Sequence, residues 1–452
     1  MDQNKGWTSG RETEARETQE REAEELSAEP LESVAAGEPL APQLGSTSGD
    51  MPHAIRALRN RDFRWFWGGN FLSNIGTWMQ NVAMGWLVLQ LATSNGAFWL
   101  GVIGFASSAP MLAFSLLGGV IADRIDRRKL MLVTQTAMML LAFILWGLTA
   151  LHWMTLPLLV LISFTTGIAM ALNNPSYQAL VPQLVPREDL ANAIALNAAQ
   201  FNMSRIVGPT LGGFAMAWFG VQGNFLLNAL SFVAVLIALT QISYPPLYPA
   251  ERNTMWEDLK EGLLYVFQRK DLFTLLAMTA VASVLVIPYI TFVPLFAKQI
   301  LHLEERGFGL LMAANGAGAF LAALTMAFTH NVKHRGRLVF RASIAFYAFV
   351  ALFAVSRHEW LSALMLVGTG YFMILMIATV NVTLQHLSED KMRGRVMSIY
   401  ATAFLGFAPL GSLMAGSLAG TFTAPISIAA MAIAAIIINS VIYQRSPELA
   451  AL

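Results

Sequence analysis

Seven stretches of the sequence contain no Asp, Glu, Lys or Arg. They are 65–122, 130–186, 206–250, 272–297, 307–332, 360–388 and 396–444. A helix needs roughly 20 apolar residues to cross the hydrocarbon core of a bilayer. The longest stretches can therefore hold two spans joined by a tight turn. Only 13% of all residues are charged, against about 25% in a typical soluble chain, and this excludes a soluble globular protein.

The pattern predicts an all-α membrane protein with twelve membrane-spanning helices, which we number as spans one to twelve. The predicted spans are 64–91, 97–122, 129–149, 155–174, 190–218, 222–243, 272–297, 308–330, 338–356, 361–386, 394–418 and 423–444. They divide the chain into an N-terminal six-helix half (51–243), a linker (244–270) and a C-terminal six-helix half (271–452). The absence of cysteine excludes disulfides.

Lysine and arginine are distributed unequally between the short loops. The loops after even-numbered spans contain Arg124, Arg127, Arg128, Lys129, Arg187, Arg252, Lys260, Arg269, Lys270, Lys333, Arg335, Arg337, Lys391, Arg393 and Arg395. The loops after odd-numbered spans contain only Lys298, Arg306 and Arg357. Because cytoplasmic loops carry the excess of these residues, we predict a multi-pass protein of the cytoplasmic (inner) membrane with both termini in the cytoplasm.

The segments outside the spans differ in character. Residues 1–50 contain 12 acidic and 4 basic residues, and a segment so polar cannot bury a core, so we predict a disordered acidic cytoplasmic tail. In the linker, apolar residues recur at helical spacing opposite acidic ones. These apolar residues are Trp256, Leu259, Leu263, Leu264 and Phe267. The spacing predicts an amphipathic helix on the inner membrane surface.

The two halves carry matching residues in the same order. The matches are Asn174 and Gln178 with Asn381 and Gln385, Pro209 with Pro409, and Arg127-Arg128-Lys129 with Arg335-Gly336-Arg337. Internal repeats of this kind are typical of secondary transporters, in which the substrate binds between the repeats near the middle of the membrane. The repeat therefore predicts a substrate site between the halves, lined by spans one, four, five, seven, ten and eleven.

The loop between spans two and three combines glycines, acidic residues and a basic cluster. It contains Gly118, Gly119, Asp123, Arg124, Asp126, Arg127, Arg128 and Lys129. This arrangement resembles the signature loop of the major facilitator superfamily, although that superfamily often has Gly where Asp126 stands. Gly119 would allow close helix packing, and Asp123 could cap a neighbouring helix. The resemblance implies that this neighbour is span eleven and that the contact closes the cytoplasmic side. Alternatively, the basic residues are ordinary cytoplasmic anchors.

The resemblance covers about 54–444 and is greatest to the branch that holds enterobactin exporters and macrolide-efflux-like pumps. Stretches such as FRWFWGGNFLSNIGTWMQ and RIVGPTLGGF carry it. Gly208, Pro209, Gly212 and Gly213 of span five resemble the antiporter motif of drug exporters. Pro209 removes a backbone hydrogen bond, so the motif predicts a bend or hinge. Plain helix packing without a role in coupling is the alternative.

Span one carries a polar stripe. Its residues are Asn70, Ser73, Asn74, Thr77 and Asn81. Such a stripe should face protein or a water-filled cavity, so we predict that Asn70, Asn74, Thr77 and Asn81 line the transport path. The alternative is that the stripe joins span one to span five. Related exporters often have an acidic residue near Thr77, but no acidic residue lies within any span here, which argues against proton antiport.

Arg205 is the one charged residue deep within a predicted span. An arginine at the bilayer centre costs at least ~2.5–3.5 kcal/mol, so a functional role is the default interpretation. We predict that Arg205 binds an anionic group of the substrate. A structural arginine bonded to neighbouring helices is the alternative. His330 and His334 have helical metal-ligand spacing but no third ligand nearby, so the sequence predicts no metal site.

These features predict an alternating-access exporter of a siderophore, a drug or a similar small molecule, with the proton as a candidate coupling ion. The expected partners are the substrate and the lipid bilayer, with no nucleic acid and no cofactor, and the expected state is a monomer. No catalytic constellation of an enzyme is present. An importer or facilitator of the same fold remains open, as does a non-transporting sensor, which would require the tail at 1–50.

Overall fold

The computed structural model describes residues 53–124, 126–242, 255–328, 334–389 and 391–451. The predicted tail at 1–50 and His330 lie outside the described residues. So do the side chains of Asp123 and Arg124, although the helix that carries them is described.

The twelve predicted spans are confirmed. The N-terminal half contains Arg61–Leu91 (span one), Gly96–Arg124 (two), Arg127–Ala150 (three), Leu156–Leu180 (four) and Leu190–Gln241 (five and six). The C-terminal half contains Lys270–Leu285 and Tyr289–Leu295 (seven), Glu305–Phe328 (eight), Arg335–Val355 (nine), Glu359–Leu387 (ten), Arg393–Ala401 and Ala408–Thr421 (eleven) and Ala424–Gln444 (twelve). Within the described residues, nine helices combine the length and hydropathy of a membrane span.

Spans five and six form one helical stretch that reverses at Gly220. This glycine has φ 70° and ψ 176°, a backbone conformation that L-residues with side chains rarely adopt. The two arms then run side by side, and Asn224 donates a hydrogen bond to the carbonyl of Gly212 at 2.9 Å. Gly220 thus takes the place of a connecting loop. The sequence predicted the boundary between spans five and six at 218–222, and in the structure this single residue forms it.

Spans seven and eleven are interrupted. Span seven breaks between Leu285 and Tyr289, where Pro288 lies, and proline cannot donate a backbone hydrogen bond. Span eleven contains a π-helical turn over Thr402–Gly406. Ser283 of span seven donates to the carbonyl of Phe404 in this turn at 2.7 Å. The irregular backbone of one span is therefore satisfied by a side chain of the other, as a membrane interior requires.

The internal repeat is visible in helix packing. In the N-terminal half, a Cβ atom on Gly167 of span four would lie 2.6 Å from the carbonyl oxygen of Ser107 in span two. In the C-terminal half, a Cβ atom on Gly370 of span ten would collide with the carbonyl of Asn315 in span eight. Glycine therefore allows the backbones of equivalent helix pairs to touch in both halves.

The linker helix, Met255–Gln268, packs against the C-terminal half. Glu261 forms an ion pair with Arg395 at 3.0 Å, and the hydroxyl of Tyr265 accepts from the backbone N–H of Glu389 at 3.3 Å. Leu264 and Phe267 are exposed on the same helix. The helix thus presents Glu261 to the C-terminal half and leaves Leu264 and Phe267 exposed. Its amphipathic role on the inner membrane surface stays a prediction.

Candidate transport site between the halves

The alternating direction of the spans defines two faces of the bundle. Even-numbered spans end at the face that carries the arginine-rich loops, which we call the basic face. Odd-numbered spans end at the opposite face. The contacts between the two halves described below lie toward the opposite face or at the middle of the spans.

Two pairs of glycines bring helices of opposite halves into backbone contact near the opposite face. A Cβ atom on Gly309 of span eight would lie 2.8 Å from the Cα of Gly213 in span five. A Cβ atom on Gly416 of span eleven would lie 2.8 Å from the Cα of Gly101 in span two. The internal repeat relates the two crossings to each other, because span five corresponds to span eleven and span two to span eight. No larger residue fits either crossing without displacing a backbone.

Trp86 joins the halves beside these crossings. Its indole N–H donates to the carboxylate of Glu305 at 3.2 Å, and its ring stacks on Phe308 with centroids 5.5 Å apart. The ammonium group of Lys298 lies 5.5 Å from the same ring and donates to the carbonyl of Leu89 at 3.3 Å. Glu305 and Lys298 of the C-terminal half thus contact the last two turns of span one. These contacts close the opposite face.

A cavity of about 280 Å³ lies between the halves at the middle of the spans. Both halves contribute to its wall, which includes Trp78, Asn81, Ser107, Thr291, Met312 and Ser412. Most of the wall is apolar, with a few hydroxyl and amide groups. This combination is typical of sites for small organic ligands, where apolar contacts provide affinity and a few polar groups fix orientation.

The polar stripe of span one reaches this cavity at one residue. Asn81 is exposed and lines the cavity. Asn70 and Thr77 instead donate to carbonyls of their own helix, those of Phe66 at 2.8 Å and Ser73 at 2.9 Å. Asn74 is half-buried. The structure therefore places Asn81 at the cavity and does not bring the other three predicted residues to its wall.

A buried polar pair joins span one to span six, a contact that sequence reasoning missed. Asn228 donates to the side-chain carbonyl of Gln80 at 2.7 Å, and both residues are buried. Gly76, one turn earlier, packs against Asn228 and Ser231. The sequence-based alternative for the stripe named span five as the partner. The available signal was one polar residue in each of two charge-free stretches, 65–122 and 206–250, but such a signal does not show which polar residues form a pair.

The glycines of the span-five motif pack against span one. A Cβ atom on Gly208 would lie 2.9 Å from the carbonyl oxygen of Ile75, and one on Gly212 would lie 3.2 Å from the Cα of Met79. The helix continues through Pro209, and Gly220 is the residue of this stretch with non-helical dihedral angles. The packing role is therefore visible, while the predicted hinge at Gly208–Pro209 stays a prediction.

The described part of the signature loop binds helix ends. Arg127 donates to the carbonyl of Ala179 at 3.1 Å and Arg128 to that of Thr240 at 2.8 Å. These carbonyls belong to the last turns of spans four and six, where cations are favourable. Asp126 caps span three by accepting from the backbone N–H of Lys129 at 3.0 Å. The acidic residue at the position where related proteins often have Gly therefore has a local structural role.

The repeat landmarks lie near the ends of spans four and ten. Gln385 donates to Asn381 at 2.7 Å, and Gln385 is exposed. Asn174 contacts the sulfur of Met111 at 4.0 Å, and Gln178 is exposed. Pro409 opens the second segment of span eleven. These residues mark equivalent positions in the two halves, and none of them belongs to the wall of the cavity described above.

Arg205 lies where spans five, seven and eight meet. Its neighbour Ile206 packs against Gly316 of span eight, and its guanidinium group interacts electrostatically with Tyr289 of span seven. Asn315 of span eight donates to the Tyr289 hydroxyl at 2.7 Å. The sequence indicated Arg205 but not Tyr289 or Asn315. Both stand in otherwise apolar segments, and only the fold brings them to the arginine.

The fold, the two six-helix halves and the cavity between them define a multi-pass membrane transporter of the major facilitator type. The chain belongs to the transmembrane secretion effector family of this superfamily, whose sequence pattern matches residues 53–450. Membership in this family confirms the prediction of a membrane transporter.

Relatives with known names are transporters. The chain is 27% identical to the staphyloferrin A transporter of Staphylococcus aureus, with 79% of this chain and 90% of that protein aligned. It is 25% identical to the multidrug efflux pump Tap of Mycolicibacterium fortuitum (75% and 84% aligned). It is 24% identical to an enterobactin exporter of Citrobacter koseri (80% and 86% aligned).

Solved structures show the same fold. A bacterial homologue of the human lysosomal transporter Spinster, in an inward-facing and unoccupied conformation, aligns with a TM-score of 0.66 at 14% identity, covering 89% of this chain and 98% of that one. The nucleoside transporter NupG aligns with a TM-score of 0.60 at 15% identity, covering 88% and 99%. At these identities the likeness concerns the fold alone.

Proposed function

We propose that this protein exports a small organic molecule, such as a siderophore or a drug, across the cytoplasmic membrane by alternating access. The observation that carries the proposal is the position of the cavity. Its wall contains residues of both halves, and the glycine crossings and the Trp86 contacts close it toward one face. A site between two halves that contact each other at one face is the geometry that alternating access requires.

The direction of transport is supported by charge and by relatives. If the arginine-rich basic face is cytoplasmic, as the distribution of Lys and Arg indicates, the closed face is external and the structure represents an inward-facing state. A substrate would then enter from the cytoplasm, and both termini would lie there. The names of two of the relatives described above, an efflux pump and an enterobactin exporter, describe export.

Transport by sealed vesicles tests the proposal. Inverted and right-side-out vesicles from cells that produce the full chain would be energised and supplied with enterobactin, staphyloferrin A or ethidium. An exporter accumulates at least one of these compounds in inverted vesicles only. Accumulation in right-side-out vesicles alone would show an importer, and equilibration without accumulation in either would show a facilitator.

The coupling ion is tested in the same vesicles. We propose proton antiport, which is supported by the resemblance of the span-five motif to drug antiporters and by a relative named as a Na⁺, Li⁺, K⁺/H⁺ antiporter. Because no acidic residue lies within the predicted apolar core of a span, the titrating group would be Asp62, Asp123 or the substrate itself. Collapse of the proton gradient with an uncoupler should stop accumulation. Accumulation that persists unchanged excludes proton coupling.

A further inference from the structure

A terminal nitrogen of Arg205 is buried and has no hydrogen-bond partner in the described structure. This atom, Nη2, is inaccessible to solvent. The residue lies at the junction of the halves, because a Cβ atom on Gly316 of span eight would lie 3.0 Å from the Cα of the adjacent Ile206. Tyr289 of span seven is close enough to interact with the guanidinium charge. A buried guanidinium nitrogen without an acceptor is unfavourable, so this atom favours an acceptor on a bound group.

The hydroxyl of Tyr289 is a second donor at this junction. Tyr289 is buried, and its oxygen accepts a hydrogen bond from the amide nitrogen of Asn315 at 2.7 Å. The same nitrogen donates to the carbonyl of Leu366 at 3.3 Å. A carbonyl can only accept, so this contact fixes the orientation of the Asn315 amide. Tyr289 must therefore use its own O–H as a donor, and the described residues provide no acceptor for it.

We propose that Arg205 and Tyr289 together bind an oxyanion of the substrate, and that Asn315 positions the tyrosine hydroxyl. A carboxylate or phenolate oxygen has the lone pairs that two donors need, and its charge would balance the guanidinium in a medium of low polarity. Pro288 and Ile290, on either side of Tyr289, line the cavity. The apolar part of the ligand would occupy this cavity, so the substrate class is an organic anion with an apolar body.

The site has a consequence for the transport cycle. Arg205 belongs to the N-terminal half and Tyr289 to the C-terminal half, so a bound anion connects the two halves directly. A ligand shifts a conformational equilibrium only through different contacts in the two states. An anion held by both halves provides such a difference, because its contacts change when one half moves relative to the other. The inference rests on the proposed function and adds the chemistry of the ligand.

The first test needs no ligand. Removal of a buried donor that lacks an acceptor should stabilise the empty protein, whereas removal of a satisfied one should destabilise it. We expect the full-length Arg205→Met and Tyr289→Phe variants to melt about 1–3 °C above the wild type in detergent. Melting temperatures of Arg205→Met and Tyr289→Phe that are unchanged or lowered would overturn the proposal.

The second test uses two probes that share an apolar body, one with an anionic carboxylate and one with a neutral amide in its place. Biphenyl-4-carboxylate has an apolar body and an oxyanion, and biphenyl-4-carboxamide is its neutral analogue. We expect the carboxylate to quench tryptophan fluorescence of the wild type, about tenfold more weakly in Tyr289→Phe and not at all in Arg205→Met, with the amide inactive. Equal responses to both probes, no response to the carboxylate, or wild-type affinity in Tyr289→Phe would each contradict the anion site. The vesicle assay decides the proposed function separately, because it requires no particular binding group.

Discussion

The indole N–H of Trp86 in span one donates a hydrogen bond to the carboxylate of Glu305 in span eight at 3.2 Å. Trp86 is only 3% exposed, so the carboxylate receives a donor that water cannot readily replace. The bond crosses from one six-helix half to the other at the closed face. It therefore belongs to the contacts that must break when the cavity opens to that face.

Loss of this bond should open the closed face. The Trp86→Phe variant retains an aromatic ring beside Phe308 but has no N–H, and a hydrogen bond to a charged group contributes about 1.5–3 kcal/mol. Because the chain contains no cysteine, a single cysteine can report access to the cavity at Asn81. We expect labelling of Asn81→Cys from the closed side by a membrane-impermeant thiol reagent to be about tenfold faster in Trp86→Phe.

Trp360 provides the control for this experiment. It lies at the start of span ten on the same face and is 84% exposed, so Trp360→Phe changes the same residue type without touching the other half. Its labelling rate should equal that of Asn81→Cys alone. Equal rates in the Trp86→Phe and Trp360→Phe proteins would show that the Trp86–Glu305 bond does not hold the face closed.

A methyl group at Gly309 should hinder closure of the same face. Its Cβ would lie 2.8 Å from the Cα of Gly213, and forcing an extra group into a packed contact costs about 1–3 kcal/mol. We expect Gly309→Ala to reduce vesicle transport about tenfold while the protein still folds. Gly147→Ala in span three is the matched control, because no atom lies within 4 Å of its Cβ position. Comparable transport by both variants would show that the crossing of Gly213 and Gly309 has no role in closing this face.

The sequence identified the spans well because charge exclusion acts on every residue that contacts lipid. It could not predict how the spans end or break. The π turn before Pro409 receives a hydrogen bond from Ser283 to the carbonyl of Phe404, and these residues are far apart in the chain. The turn at Gly220 depends on one backbone conformation. Such features depend on which helices are neighbours in the fold. The periodicity of residues along the chain does not give that information.

The candidate site was predicted only in part for the same reason. Helical spacing placed Asn70, Thr77 and Asn81 in one stripe, yet the structure leaves only Asn81 at the cavity. Arg205 was indicated because a charge in a span is costly wherever it stands. A tyrosine in a span has no comparable energetic cost, so the sequence does not single out Tyr289. It is recognised as a site residue only when the fold places span seven beside span five.

The signature loop allows two acidic residues to be separated by role. Asp126 caps span three, and replacement of such a cap by Ala costs about 0.5–2 kcal/mol, whereas Asn or Ser preserves it. We expect Asp126→Ala to lower the melting temperature and Asp126→Asn to leave it unchanged.

If Asp123 closes the basic face against span eleven, Asp123→Asn should slow vesicle transport without lowering the melting temperature. Wild-type transport by Asp123→Asn would exclude that role.

The buried Gln80–Asn228 pair should couple spans one and six. Asn228 donates to Gln80 at 2.7 Å, and the pair lies within the membrane, where such bonds contribute on average about 0.6 kcal/mol and at most about 1.7 kcal/mol. Gln80→Leu or Asn228→Leu leaves one buried polar group without its partner, so each single variant should melt below the wild type. The double variant removes both groups, so its loss of stability should be smaller than the sum of the two single losses. A double-mutant cycle on melting free energies measures this difference. Additive losses would mean that the two amides act independently.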